Sequence, residues 1–165
     1  MPNMHSMESI SQRAGDLAVD VRAVYDDLVR FETQLWDRLD AELKAAASLS
    51  LAWFEVMQVI ERVRGCRVVD VVDALSITVG GTSKLIDRIE RAGLCRRSPN
   101  PDDGRSSIVN LTPDGVRVLD DARATFDDGL ERLVVAPLKP WELAVFAELL
   151  GRLRLYTPAV AGGVS

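Results

Sequence analysis

The fold is written most plainly in residues 78–112, TVGGTSKLIDRIERAGLCRRSPNPDDGRSSIVNLT. Their spacing predicts a helix that opens at Thr78, whose hydroxyl can accept from a backbone N–H two or three residues on. Thr82, Leu85, Ile86 and Ile89 fall on one side at helical spacing. Lys84, Arg88 and Arg91 are four and three residues apart and share another face. Gly93 supplies the left-handed residue that ends such a helix. Gly80 and Gly81 in the first turn are unusual, because each glycine costs about 0.5–1 kcal/mol relative to alanine. Close approach of the backbone to an external surface is one reason to tolerate that cost.

The next residues read as a hairpin. Leu94–Arg97 forms one short strand and Ser106–Leu111 the other, with Ser107, Val109 and Leu111 on one side and Ser106, Ile108 and Asn110 on the other. The connection SPNPDDGR is rich in turn formers and carries Arg105. Asp103, two residues away, is placed to hold the Arg105 guanidinium by charge-assisted hydrogen bonds. Upstream, Val68, Val71, Val72 and Leu75 repeat at helical spacing, and Ser76-Ile77 makes a tight turn into the cationic helix. Two short helices followed by a basic hairpin make a winged helix-turn-helix. The fold class expected is mainly α with a small β-wing, a winged helix-turn-helix core with long N- and C-terminal dimerisation helices. Such a unit can place a helix in the DNA major groove and an arginine in the adjacent minor groove.

On these residues the chain resembles the MarR family of bacterial transcription regulators. The matching segments are LSLAWFEVMQVI at 49–60, the helix-turn-helix, the exit AGLCRR at 92–97 and the wing DDGRSSIVNLTPDG at 102–115. The wing pattern is the most specific: Asp103-x-Arg105, then Leu111-Thr112-x-x-Gly115. The resemblance covers residues 16–156. It implies an obligate homodimer, a wing arginine in the minor groove and a small-molecule pocket near the dimer interface. Ser76 and Val72 depart from the family's frequent Gly and Ala.

The flanks fit a dimerisation frame. Leu17, Val21, Val24, Leu28, Phe31 and Leu35 make a heptad-like stripe on a long first helix. Thr112-Pro113 is a strong helix start, and that helix carries Val116, Leu119, Phe126, Leu130 and Leu133 on one face. A last helix from Pro140 carries Phe146, Leu149, Leu150 and Leu153. The expected organisation is a flexible N-terminus at 1–15, one domain at 16–156 and a flexible tail at 157–165. Within the domain the winged helix-turn-helix takes about 50–112, and the dimerisation helices about 16–45 and 113–156.

Net charge is −5 over 165 residues, which is unpromising for a DNA binder until its distribution is considered. Residues 62–110 hold nine cations against six carboxylates, a local +3, leaving −8 for the rest. A basic reading head on an acidic body can bind phosphate locally. No apolar run reaches membrane-spanning length and no signal-peptide core is visible, so a cytoplasmic protein without membrane association is expected. The only histidine is His5, and neither a phosphate loop, a zinc spacing nor a nucleophile elbow occurs. Enzymatic function, metals and cofactors are therefore not expected.

The expected function is a sequence-specific regulator, a repressor by family habit, that binds a pseudo-palindromic double-stranded operator as a homodimer and is released by a small effector. Gly80, Gly81, Thr82, Ser83, Lys84, Arg88, Arg96, Arg97, Asp103 and Arg105 are the candidate DNA-binding residues. Lys84 and Arg88 would reach base edges or phosphates, Thr82 and Ser83 phosphates at the helix start, and Arg96 and Arg97 phosphates. Tyr25, Trp36, Trp53, Phe54 and Met57 are candidates to line a pocket for an aromatic or phenolic ligand, although such residues are more often plain core. Two alternatives stand beside this: a thiol-oxidation switch at Cys66 or Cys95, with Arg64 and Arg67 lowering the Cys66 pKa, and a winged-helix protein-interaction module without DNA binding.

Overall fold

The computed structural model describes residues 19–156. The expected flexible ends, His5 and Leu17 of the heptad stripe lie outside the described residues. Six helices and one hairpin follow in order: α1 Val21–Ala47, α2 Leu51–Arg62, α3 Val68–Leu75, α4 Val79–Arg91, β1 Cys95–Pro99, β2 Ser107–Leu111, α5 Pro113–Leu130 and α6 Pro140–Tyr156. A π-helical turn, Glu131–Val135, extends α5. No single helix among the described residues is long and apolar enough to cross a membrane.

The chain divides into two compact units at Arg38/Leu39, inside α1. In the first unit, Val21, Val24, Leu28 and Phe31 of the predicted stripe are exposed and Leu35 is half-buried, and Tyr25, Val29 and Trp36 beside them are exposed too. In the second unit, Leu39 and Leu43 at the end of α1 join Leu49, Phe54, Val56, Met57, Ile60, Val71, Ile86, Ile89, Val109 and Leu119 in one buried core. α2 runs through this core. Its N-terminus is capped twice: Ser50 Oγ accepts from Trp53 N–H at 3.3 Å and Asp40 Oδ1 accepts from Leu51 N–H at 2.9 Å. Phe54 packs on Phe126 of α5, ring centroids 4.7 Å apart at 40°. Of the predicted α5 stripe, Leu119 is fully buried beside Ala122, whereas Val116 at its start is exposed. Trp141, Val145, Leu149, Leu150 and Leu153 of α6 stay exposed.

The helix-turn-helix turn is made at Ser76, which caps α3 in the left-handed region at φ 54°, ψ 36°. For an L-residue that conformation costs roughly 1–2 kcal/mol. Glycine would remove the clash, against about 0.4–1 kcal/mol of extra unfolded-state entropy. Ser76→Gly is expected to stabilise the fold by about 0.5–1 kcal/mol, read as a higher urea midpoint at fixed protein concentration. An unchanged or lower midpoint would show that Ser76 is not strained.

β1 and β2 pair antiparallel with Cys95 opposite Leu111, Arg97 opposite Val109 and Pro99 opposite Ser107. The strands begin and end one or two residues from the predicted limits, and the tip runs on from Asn100 to Ser106. The other edge of β2 is also used: Val109 N–H donates to Cys66 O at 2.7 Å, tying the α2–α3 loop to the wing.

Candidate nucleic-acid interface

Thr78 caps α4 as its sequence predicts, its hydroxyl accepting from Gly81 N–H at 3.2 Å. That cap explains one of the two glycines. A Cβ at Gly81 would sit 3.0 Å from the Thr78 hydroxyl oxygen, crowding the cap. A Cβ at Gly80 would meet nothing within 4 Å, so no contact inside the chain requires glycine there. Both glycines are exposed and Ser83 is half-buried.

Thr82 departs from expectation. It is fully buried, and its hydroxyl donates to Thr78 O at 2.9 Å. A side chain turned into the protein's own core cannot reach a phosphate. Thr82 lies on the same face as Ile86 and Ile89, both fully buried, and belongs to the packing face of the helix. The opposite face is cationic: Lys84, Arg88 and Arg91 are exposed. Arg91 Nε donates to Asp87 O at 3.1 Å. Among the described residues Lys84 and Arg88 enter no ion pair.

At the helix exit, Gly93 adopts φ 77°. The two strand arginines then divide. Arg96 is exposed and without an ion pair among the described residues. Arg97 is turned back onto α4: Nη2 lies 2.7 Å from Asp87 Oδ1 and Nη1 2.5 Å from Glu90 Oε2. Its own N–H donates to Glu90 Oε1 at 2.8 Å. Arg97, expected to meet phosphate, is already neutralised by two helix carboxylates that sequence spacing alone gave no reason to pair with it.

The wing tip is held by its short polar residues. Asn100 Nδ2 donates to Ser106 Oγ at 2.8 Å, Asn100 Oδ1 accepts from Asp102 N–H at 3.0 Å, and Ser106 N–H donates to Asp103 O at 3.0 Å. Asp103 Oδ1 accepts from the backbone N–H of Arg105 at 3.0 Å. Asp103 thus shapes the turn around Arg105, whereas its expected partner was the guanidinium. The difference is one of reach: a carboxylate two residues back closes an Asx-type turn on the main chain more readily than it meets a long side chain. Arg105 itself is exposed and enters no ion pair among the described residues.

The thiols are placed against the oxidation alternative. Cys66 and Cys95 are 0% and 2% exposed. Burial pushes the Cys66 thiol up to about 11, reinforced by Asp70, and the opposing pull of Arg67 is weaker. Burial, with Glu90 next, likewise raises Cys95 to about 11. At pH 7 only about one thiol in ten thousand is then a thiolate, the form that reacts. Both cysteines are expected to resist a thiol-specific disulfide reagent in the native protein and to react on unfolding. Rapid native labelling would restore the redox reading.

The five pocket candidates have diverse surroundings. Tyr25 and Trp36 are exposed on α1, Trp53 is half-buried, and Phe54 and Met57 are buried at 1% and 0%. Among the described residues no group of three or more His, Cys, Asp or Glu side chains is placed to hold a metal ion.

Comparison with known proteins finds similarity to one family. A family model described as "MarR family" matches residues 47–106. The multiple antibiotic resistance protein MarR of Salmonella typhimurium is 28% identical over 127 residues, 76% of this chain and 88% of that protein. A MarR family transcriptional regulator from Streptomyces coelicolor, solved in complex with DNA, superposes with TM-score 0.78 over 85% of this chain and 93% of its own, at 22% identity. A mutant MarR from E. coli complexed with operator DNA gives TM-score 0.68 at 25% identity, over 82% of this chain and 99% of that one. With a buried helix-turn-helix core, an exposed cationic helix face and a hairpin tipped by arginine, the chain is similar to MarR family transcriptional regulators in the helix-turn-helix segment that the family model matches and in its fold.

Proposed function

We propose that the protein is a homodimeric repressor that reads a pseudo-palindromic operator with two copies of α4 and two wings. The observation that carries this reading is that Lys84 and Arg88 on α4, Arg96 at the wing base and Arg105 at its tip are all exposed and, among the described residues, enter no ion pair with a carboxylate. Lys84 and Arg88 enter the major groove, Arg105 the adjacent minor groove, and Arg96 meets phosphate. Gly80 and Gly81 bring the α4 backbone close to the DNA surface, and Ser83 supplies a hydroxyl there. Asp103 keeps the turn that presents Arg105.

Exposed apolar side chains, Val21, Val24 and Leu28 on α1 and Trp141, Leu149 and Leu153 on α6, support the dimer, since exposed apolar surface on two long helices is otherwise costly to leave in water. Two-fold symmetry then sets half-site centres about one DNA turn apart, on the order of 10 bp. Release by a small aromatic or phenolic effector belongs to the same reading, with the exposed rings of Tyr25 and Trp36 as its candidates.

The test is fluorescence anisotropy of the purified protein with its own upstream intergenic DNA, a scrambled competitor and a salt series. Tight, competitor-resistant binding that weakens as salt rises is expected. Equal binding to both DNAs would overturn the sequence-specific reading. No binding at low salt would favour the protein-interaction module.

A further inference from the structure

We infer that Arg97 is a positioning residue that fixes the wing against the recognition helix and makes no phosphate contact of its own; this rests on the DNA-binding reading above. Three bonds run from one residue of β1 to one face of α4. The guanidinium reaches Asp87 at 2.7 Å and Glu90 at 2.5 Å, and the Arg97 backbone N–H reaches the other Glu90 oxygen at 2.8 Å. Asp87 and Glu90 are one helical turn apart, so the planar fork spans both at once. Only a quarter of the Arg97 side chain is exposed.

The opposite end of the connection is equally fixed. Arg97 pairs in register with Val109, which is fully buried and donates its N–H to Cys66 O at 2.7 Å. The pose of the hairpin relative to α4 is therefore set by charge-assisted bonds on one edge and by core packing on the other. Turning Arg97 toward a phosphate would break all its side-chain bonds and leave two carboxylates unpaired beside Arg88 and Arg91. Those carboxylates would repel the phosphates the helix must approach. Held by Arg97, half of that negative charge is offset, and the two cationic elements are kept at one fixed separation. A rigid separation matters for sequence discrimination, because base contacts need close placement, whereas nonspecific attraction to phosphate does not.

Wild-type protein is first used to enrich a binding duplex from a random pool. Binding of the enriched duplex and of a scrambled duplex by Arg97→Ala and by Glu90→Gln is then compared with wild type, with unfolding midpoints measured alongside. Arg97→Ala is expected to lower the enriched-to-scrambled affinity ratio about tenfold, the scale of a misplaced base contact, while the salt dependence on scrambled DNA stays as in wild type. Glu90→Gln is expected to lower the ratio as well, although it removes a negative charge near the DNA.

A phosphate-binding Arg97 predicts the opposite pattern. Glu90→Gln would free the guanidinium and tighten binding to both duplexes, and Arg97→Ala would reduce the salt slope on scrambled DNA by about 0.9 for each phosphate no longer neutralised. That pattern overturns the proposal. An unaltered ratio in Arg97→Ala, with only a lower unfolding midpoint, overturns it too and leaves a purely structural role. Failure of wild type to enrich any sequence overturns the DNA-binding reading and this proposal with it.

Discussion

Gly115→Ala is expected to cost about 3 kcal/mol of stability or more. A Cβ on Gly115 would lie 1.9 Å from Leu94 O and 2.9 Å from Leu94 C, inside any attainable approach. Both atoms are backbone, so no rotamer change relieves the overlap. The first turn of α5 would have to lift away from the α4 exit, and the bonds that hold it there would break. These are Thr112 N–H to Leu94 O at 3.0 Å, the Thr112 hydroxyl to Gly93 O at 2.7 Å, and the Thr112 cap on Gly115 N–H at 3.0 Å. Thr112 works in two directions, donating to one helix end and accepting from the start of the next. Gly104→Ala is the control, since a Cβ there meets nothing within 4 Å and the change should stay within about 0.5 kcal/mol. Chemical unfolding of both variants at one protein concentration decides the matter. A Gly115→Ala protein as stable as wild type would mean that the α4–α5 junction is not packed as described.

Removing the Arg105 guanidinium is expected to weaken operator binding about 30-fold or more, because the proposed symmetric dimer would be deprived of two minor-groove arginines at once, each worth roughly 1–3 kcal/mol. The fold should be untouched: Arg105 is exposed, without an ion pair among the described residues, and the turn around it is closed by Asn100, Asp103 and Ser106. Arg105→Ala should therefore keep the wild-type unfolding midpoint. Lys84→Ala with Arg88→Ala should lose at least as much affinity and flatten the salt dependence by about one for each phosphate left unneutralised. Anisotropy titrations at several salt concentrations measure both effects. Wild-type affinity in Arg105→Ala would remove the wing from the interface, and a parallel loss of stability would make its role structural.

The elements and their order are legible in the chain alone. Local signals suffice where a helix begins at a hydroxyl cap, as at Thr78 and Thr112, or ends at a left-handed glycine, as at Gly93, because those bonds close within three or four residues. The cationic face of α4 and the arginine at the wing tip are legible for the same reason: helical spacing and a turn-rich connection are properties of neighbours in the chain. The family pattern also marks Gly115, but the sequence carries no reason for it.

Which of these residues are free to act depends on the folded arrangement. Lys84, Arg88 and Arg97 look alike as cations, yet seven residues of separation from Glu90 and a chain reversal place Arg97 alone against two carboxylates. Thr82 and Ser83 are adjacent hydroxyl residues, and the packing of α4 buries one and leaves the other half-exposed. Cys66 lies between arginines in sequence, but its thiol is governed by the apolar surroundings that fold around it. Gly115 is required by the Leu94 carbonyl, twenty-one residues earlier in the chain. Pairing, burial and steric exclusion are set by partners distant in sequence, and folding is what brings those partners together.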